Sequence, residues 1–268
     1  MVIFEIRDSS INSGKLLGFL FYYEKSGRFF TELLSSVNEW DAPFIFSGFV
    51  KKKQHSIDSE WSMRFVRQRI IPYERQNLGE ILKENKLKAY DEYRLLLLSE
   101  GRCAQDELYL VKTEPDELPK EIQERLAKKV CDVIPLSDSN ALIFFKDNSA
   151  RKTDIGKLIG DNRLFANVLK DNDIFNSVKV SPGGNGIEWG SDRFLAAEHL
   201  YSSGMKSHIS YDDMISFVRS RIIDTSEAAR ILGCSRQYIN QLVKQSKLHP
   251  ILSESNNRLF LLSEIETE

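Results

Sequence analysis

The sequence predicts a mixed α+β protein in which two small α+β regions precede a helical C-terminal region. Short apolar runs separated by polar, glycine-containing turns occupy much of residues 2–50 and 132–189, a pattern typical of strands. Trp61 marks a change to helical spacing, and apolar residues recur at three and four over residues 76–85 and 91–99, which indicates helices. Residues 224–250 place two further helical patterns on either side of Gly233.

The first predicted domain, residues 1–115, is an α+β domain whose role its residues do not indicate. Its predicted strands are residues 2–7, 16–24, 28–34 and 43–50, with a polar turn at 11–15 and a hairpin turn at 25–27. Its predicted helices are residues 76–85 and 91–99, and Gly101 ends the second.

Three arginines around Pro72 form a candidate anion or partner site: Arg67, Arg69 and Arg75. Guanidinium groups bind phosphates and carboxylates in the same way, so the cluster fits a phosphate or the carboxylates of a protein partner. The equally open alternative is an internal ion-pair network. Its acidic members would be Glu74, Asp91 and Glu92.

The charged, proline-punctuated stretch at residues 114–120 predicts a linker between domains, and we assign residues 116–129 to this linker and a connecting helix. Residues 122–130 continue it as a connecting helix, with Ile122, Leu126 and Val130 on one face.

The second predicted domain, residues 130–204, is a small α+β domain. Its predicted strands are residues 132–136, 141–145, 177–180 and 186–189. Glycines crowd residues 183–190, but no helical pattern follows them as a phosphate-binding loop requires, so we interpret them as a hairpin turn. The acids Glu188 and Asp192 lack a partner at a motif spacing, and we interpret them as structural.

This middle region resembles the bacterial family known as domain of unknown function 2442, over residues 130–203. The matching segments, in order, are Pro135-Leu136, residues 141–147 (ALIFFKD), Asp154, Leu158, Phe175, residues 178–180, residues 186–190 (GIEWG), Asp192 and Leu200-Tyr201. The resemblance implies a protein-binding or dimerising module without an established enzyme activity. Members of the family occur in arrangements similar to toxin–antitoxin pairs, and some carry a C-terminal helix-turn-helix.

Residues 224–250 predict a helix-turn-helix within a third domain, residues 205–268. Asp224 or Thr225 caps a first helix whose small-residue face is Ala228, Ala229 and Leu232. Gly233 permits the positive φ that ends this helix, and Ser235 caps the second. The inward positions of the second helix are then Ile239, Leu242 and Val243.

The outward face of that second helix carries the side chains that read DNA. Arg and Lys bind guanine O6 and N7, Asn and Gln bind adenine N6 and N7, and all four can hold phosphates. From residue 219 to 258 there are seven Lys or Arg against Asp224, Glu227 and Glu254, an excess of four positive charges. The predicted DNA-contacting residues are Thr225, Ser235, Arg236, Gln237, Tyr238, Asn240, Gln241, Lys244 and Arg258. The alternative is a two-helix corner that binds no nucleic acid and has a solvated polar face.

Two short apolar runs around the polar tip 253–257 predict a hairpin, and Ser263 is expected to cap a final turn. With this hairpin, residues 224–266 resemble the winged helix-turn-helix of excisionase and MerR-like DNA-binding domains. The resemblance implies that Arg236, Gln237, Asn240 and Lys244 face the major groove and that Arg258 contacts the DNA backbone. Residues 203–207 predict a joint. Residues 211–221 then predict a supporting helix, capped by Ser210, whose apolar side is Met214, Ile215 and Val218.

Composition limits the remaining classes of function. The net charge is only −2, so the whole chain is not a general polyanion binder. Three isolated cysteines and four isolated histidines favour reduced thiols and predict no zinc site, cofactor or Cys/His nucleophile. Charged residues interrupt the N-terminus and the longest apolar run is residues 16–23, so we expect a cytoplasmic protein without a membrane segment.

These observations lead to a sequence-specific, homodimeric transcriptional regulator that binds double-stranded DNA and performs no catalysis. The alternative is an antitoxin-like or adaptor protein that binds a protein partner through residues 1–203, with auxiliary autoregulatory DNA binding. A third hypothesis, an enzyme, would require residues 67–77 and 101–107 to converge on one pocket, although the second loop supplies acids and Cys103 without an activating base.

Overall fold

The computed structural model describes residues 1–10, 14–160, 162–190, 192–206, 209, 211–253 and 258–267. It confirms the mixed α+β class, and the chain divides into two compact units, Met1–Arg125 and Leu126–Glu268. The finer predicted division into three domains and a linker stays a prediction. No helix in the described part of the chain combines the length and apolar character that crossing a lipid bilayer requires.

Some predicted features lie outside the described residues. They are Ile11, Asn12 and Ser13 of the first turn, Ser207 of the joint, the Ser210 cap and residues 254–257 at the hairpin tip.

The first unit is built on a five-stranded antiparallel sheet in the order β4-β3-β2-β1-β5. The strands are β1 (Val2–Asp8), β2 (Lys15–Tyr23), β3 (Arg28–Leu33), β4 (Ser56–Ile57) and β5 (Leu108–Thr113). The helices are α1 (Ser47–Lys51), α2 (Ser59–Arg67), α3 (Leu78–Glu84), α4 (Glu92–Ser99) and α5 (Lys120–Ala127), which runs into the second unit. Helices α3 and α4 and strands β1 to β3 confirm the predictions made for those segments. Their apolar residues form one core with Phe46, Phe65 and Leu95.

Two predictions for this part of the chain are wrong. Residues 43–50 are not a strand but a 3-10 turn, Phe44–Phe46, followed by α1. The apolar run is buried on one helical side only, since Phe46 and Val50 are buried whereas Phe44 is exposed. The connecting helix ends at Ala127, and Val130 is instead a buried residue at the start of the next strand.

The second unit contains three small antiparallel sheets, ordered β12-β8-β7-β6, β11-β10-β9 and β13-β15-β14. The strands are β6 (Val130–Pro135), β7 (Asn140–Phe145), β8 (Ala150–Asp154), β9 (Lys179–Val180), β10 (Gly186–Trp189), β11 (Arg193–Ala196), β12 (Met205–Lys206), β13 (Ile222–Asp224), β14 (Leu252–Ser253) and β15 (Arg258–Leu261). The helices are α6 (Ile155–Ile159), α7 (Ala166–Lys170), α8 (Asn172–Asn176), α9 (Ala197–Ser203), α10 (Tyr211–Arg221), α11 (Thr225–Ile231), α12 (Arg236–Lys244) and α13 (Leu262–Thr267).

The glycine-rich stretch joins β9 to β10 through the 3-10 turn Pro182–Gly184, in agreement with the hairpin interpretation. Gly184 has a φ of +74°, and a Cβ there would overlap the carbonyl oxygen of Val130. Close packing of backbone against β6 therefore accounts for this glycine. The neighbouring Trp189 is buried, and its indole N–H donates to the carbonyl oxygen of Phe175.

The predicted apolar side of α10 is wrong. Met214 and Val218 are exposed, whereas Asp213 and Arg221 are buried. Phe217 explains the difference, because it packs edge-on against Phe144 of β7 and turns its own side of the helix inward.

Candidate nucleic-acid interface

Helices α11 and α12 are joined by a four-residue turn and enclose a small core of their own. Ala228 and Ala229 from α11 meet Ile239 and Leu242 from α12, and Phe260 of β15 completes the contact. The alanines allow the two helices to approach closely, as their positions in the sequence predict. The predicted inward faces of both helices are confirmed.

Local caps fix where the two helices begin. Asp224 accepts hydrogen bonds from the backbone N–H groups of Ser226 and Glu227 at 2.7 and 2.9 Å, and Ser235 accepts one from Tyr238 at 3.2 Å. The bond from the Glu227 N–H, followed by that from Ser226, lowers the pKa of Asp224. Gly233 has a φ of +62° in the turn, as predicted.

Thr225 does not cap α11, and its side chain is half-buried. Its hydroxyl donates to the carbonyl oxygen of Arg258 at 3.5 Å, which links α11 to β15. Of the two residues predicted for the capping role, Asp224 takes it.

The outward face of α12 is exposed along its length. Its polar side chains are Arg236, Gln237, Asn240, Gln241 and Lys244. Among the described residues, all of these except Asn240 make no side-chain hydrogen bond or ion pair, so their donors and acceptors face solvent. Tyr238, in the first turn of the same helix, is 49% exposed.

Arg258 ties the β14–β15 hairpin to α12. Its guanidinium donates to the side-chain carbonyl oxygen of Asn240 and, at 3.3 Å, to the hydroxyl of Ser253. The bond to Asn240 sets the direction of the amide, so that its NH₂ group is left for another molecule. The sequence carries no signal for this contact, because the two residues are 18 positions apart on different elements.

Not all the basic residues counted from the sequence are available on the surface. Arg221 is buried in an ion pair with Asp132, at 3.3 Å, and donates to the carbonyl oxygen of Val133. Burial raises the pKa of Asp132, and Arg221 opposes that rise. Arg230 is exposed but paired with Glu227 on its own helix. The exposed cations in and beside α12 are therefore Arg236, Lys244 and Lys247.

Within the second unit, the C-terminal elements contact both the β12-β8-β7-β6 sheet and the β11-β10-β9 sheet. Besides the Arg221–Asp132 pair, Lys179 of β9 lies 3.0 Å from Glu266 of α13. Ser263 hydrogen-bonds the carboxylate of Asp132. Its predicted role as the cap of the final turn is wrong, because α13 begins at Leu262 and Ser263 lies inside the helix.

The arginines of residues 67–75 do not converge on one site. Arg69 has a side chain that is 1% exposed, pairs with Asp106 and lies over the ring of Phe65, so it is not an anion site. Burial lowers the pKa of its guanidinium, and Asp106 opposes this. Arg67 pairs with Glu92 at 3.0 Å, as the internal alternative predicts for that residue, and Arg75 donates to Asn77.

The Arg69–Asp106 pair does bring residues 67–77 and 101–107 together, as the enzyme hypothesis requires. Beside it lies a cavity of 380 Å³ lined by Gln68 and Gln105 among others. The Cys103 thiol donates to the carboxylate of Asp106, and no histidine is among the described residues that line the cavity. Within the described residues, no group of three His, Cys, Asp or Glu side chains is arranged to hold a metal ion.

Comparison of the chain with known protein families, with curated proteins and with solved structures found no match. Both family resemblances therefore stay predictions that depend on the residues quoted for them.

Proposed function

We propose that this chain is a sequence-specific DNA-binding transcriptional regulator whose reader, residues 222–267, is a winged helix-turn-helix. The observation that carries the proposal is the outward face of α12, where Arg236, Gln237, Gln241 and Lys244 are exposed and hydrogen-bond no other described residue. Side chains of these types are the ones that contact base edges and phosphates. The short turn at Gly233 and the β14–β15 hairpin beside the helix support the same assignment.

In the proposed complex, α12 lies in the major groove and its first two turns face the bases. Arg236 is the candidate for a guanine, since its donors suit O6 and N7. Asn240 is the candidate for an adenine, since its NH₂ group can donate to N7 and the second lone pair of its side-chain oxygen can accept from N6. Lys244, near the C-terminal end, is the candidate for a phosphate. Arg258 holds Asn240 from the hairpin side, so we assign it a positioning role in addition to the predicted backbone contact.

We further propose that the regulator acts as a homodimer, because one small reader buries too little surface for high specificity. The exposed apolar side chains Met205, Met214 and Val218, which are 77%, 50% and 46% exposed, support pairing of two chains near α10. A dimer predicts a two-fold symmetric site whose halves lie about 34 Å apart, one helical turn of DNA.

The test begins with selection of bound sequences from a pool of random duplexes, using the full chain. Binding to the selected site and to random DNA is then measured for the Arg236→Ala, Asn240→Ala double variant. Each base contact is worth about 1–3 kcal/mol, so the double variant should lose roughly 30-fold to 10⁴-fold on the selected site and much less on random DNA.

The matched control is Arg230→Ala, which removes an exposed arginine of α11 that already pairs with Glu227. This control should keep the discrimination between the two DNAs. Failure of the selection to enrich any sequence would overturn the proposal. An equal loss on both DNAs would show that Arg236 and Asn240 hold phosphates only.

A further inference from the structure

The cavity of the first unit combines protruding aromatic rings with carboxylates. It lies where the end of β1, residues 40–45 and residues 105–108 meet, and its volume is 380 Å³. The side chains that define its chemistry are Trp40, Phe44, Asp8, Asp41, Asp106 and Glu107. Among the described residues that line it, none is a lysine, arginine or histidine.

The two aromatic side chains are exposed on an ordered backbone. Trp40 is 88% and Phe44 is 95% exposed, the highest values among the large apolar residues of the described chain. The side chain of Asn38 accepts hydrogen bonds from the Trp40 and Asp41 N–H groups, and the Ser47 hydroxyl donates to the Phe44 carbonyl oxygen. The rings thus remain in water although the backbone that carries them is held, which is typical of a recognition surface.

The four carboxylates differ in whether a cation of the protein already pairs with them. Asp41 pairs with Lys15 at 2.9 Å, and Asp106 pairs with Arg69. Asp8 and Glu107 form no ion pair with any described residue. Among the described donors, the Ser10 N–H bonds the Asp8 carboxylate and the Ser9 hydroxyl bonds the Glu107 carboxylate, at 3.5 Å, so both carboxylates keep acceptor positions that no described residue occupies.

We propose that this cavity binds a basic side chain, arginine or lysine, presented by a protein partner. Carboxylates pair with the cation, aromatic faces attract it through their negative charge density, and an anionic ligand would be repelled. The volume is at the lower end of ligand sites and suits one long side chain. Trp40 and Phe44 protrude at the mouth, where they offer surface to the residues that flank the bound side chain.

The probe is a blocked Gly-Arg-Gly peptide, titrated into the full chain and followed by tryptophan fluorescence. Trp40 dominates the solvent-sensitive signal, since Trp189 is buried and Trp61 is half-buried. A saturable change is expected, weakened by salt. The same peptide with citrulline, which has the shape of arginine without its charge, should bind about tenfold more weakly or not at all.

Two variants distinguish the cavity from other acidic surface. The Asp8→Asn, Glu107→Gln double variant keeps the shape of the side chains and should weaken the arginine peptide by about tenfold or more. Glu80→Gln, an exposed acid of α3 that does not line the cavity, should leave binding unchanged. Thermal unfolding and DNA binding of the double variant should match those of the parent chain, which shows that it folds.

Three outcomes would overturn the proposal: no saturable change with millimolar arginine peptide, equal binding of the citrulline peptide, or unchanged binding by the double variant. The last titration uses arginine amide, a free cation. Weaker binding of arginine amide than of the peptide supports a protein partner, whereas equal binding overturns that assignment in favour of a small free amine.

Discussion

Two segments of this chain concentrate basic residues, and the structure uses them in opposite ways. In residues 67–75, Arg69 is buried against Asp106, and Arg67 is paired with Glu92. On α12, by contrast, Arg236 and Lys244 are exposed and have no hydrogen bond or ion pair with a described residue. The first segment thus stabilises its own unit, whereas the second leaves its cations free for another molecule.

The side of the helix on which each cation lies explains the difference. Arg69 follows the buried Phe65 by four residues, and Arg221 follows Phe217, which packs on Phe144, by the same interval. Residues four apart within a helix share a face, so Arg221 is carried inward with Phe217. Arg69 lies two residues beyond the end of α2, in a turn where its N–H bonds the carbonyl oxygen of Val66, and its guanidinium is held over the ring of Phe65. Arg236, Asn240 and Lys244 are also four apart, but all three are exposed, whereas the buried residues of α12 are Ile239 and Leu242.

The largest expected effect comes from removing the carboxylate of the buried pair. Asp106→Ala leaves the Arg69 guanidinium buried without a counter-charge, and we expect a loss of about 3–5 kcal/mol in the free energy of unfolding. The matched variant Glu92→Ala leaves Arg67 able to reach water, so its loss should be within about 1 kcal/mol. Urea denaturation of the full chain measures both. Similar losses in the two variants would show that burial does not distinguish these arginines.

This contrast also marks what the sequence could predict. Rules that act over a few residues were sufficient for β1 to β3, for the Gly233 turn, for the Ser235 cap and for the inward positions of α11 and α12. Each depends on periodicity or capping within one turn of helix or one hairpin.

Long-range pairing was not predictable in the same way. Strands β4, β12 and β13 are two or three residues long and exist because a distant strand pairs with them. The Arg69–Asp106 and Asn240–Arg258 contacts join residues 37 and 18 positions apart, which no local pattern indicates. Phe44 was predicted within an ordinary strand, and only the fold reveals its exposure and that of Trp40.

A smaller loss of stability is expected when the cap of α11, Asp224, is replaced. The start of this helix depends on that local cap and not on a buried ion pair. Asp224→Ala should cost about 0.5–2 kcal/mol in the free energy of unfolding at pH 7. Asp224→Asn keeps an acceptor for the same N–H groups and loses only the charge, so it should cost about 0.3–1 kcal/mol.

The pH dependence of this difference has a definite sign. The pKa of Asp224 is lowered by folding, so its charge stabilises the protein above the pKa of the unfolded chain, about 3.9. That stabilisation is lost as the pH falls through the lower pKa of the folded state. Chemical denaturation from pH 7 down to pH 3 should therefore show the parent chain and Asp224→Asn converging. A difference that stays constant over this range would contradict the proposed role of the charge.

The smallest effect on stability is expected when Lys244 is replaced. The same variant also tests whether an exposed, unpaired cation contacts DNA while a paired one does not. Lys244→Ala should change the free energy of unfolding by less than about 0.5 kcal/mol, because the side chain is exposed and has no hydrogen bond or ion pair with a described residue. If Lys244 contacts one phosphate, the slope of log K against log salt concentration should fall by about 0.9. The loss of affinity should be equal on selected and random DNA, since a phosphate carries no sequence information. Arg230→Ala, whose cation already pairs with Glu227, should leave the slope unchanged. A loss confined to the selected sequence would instead place Lys244 on a base edge.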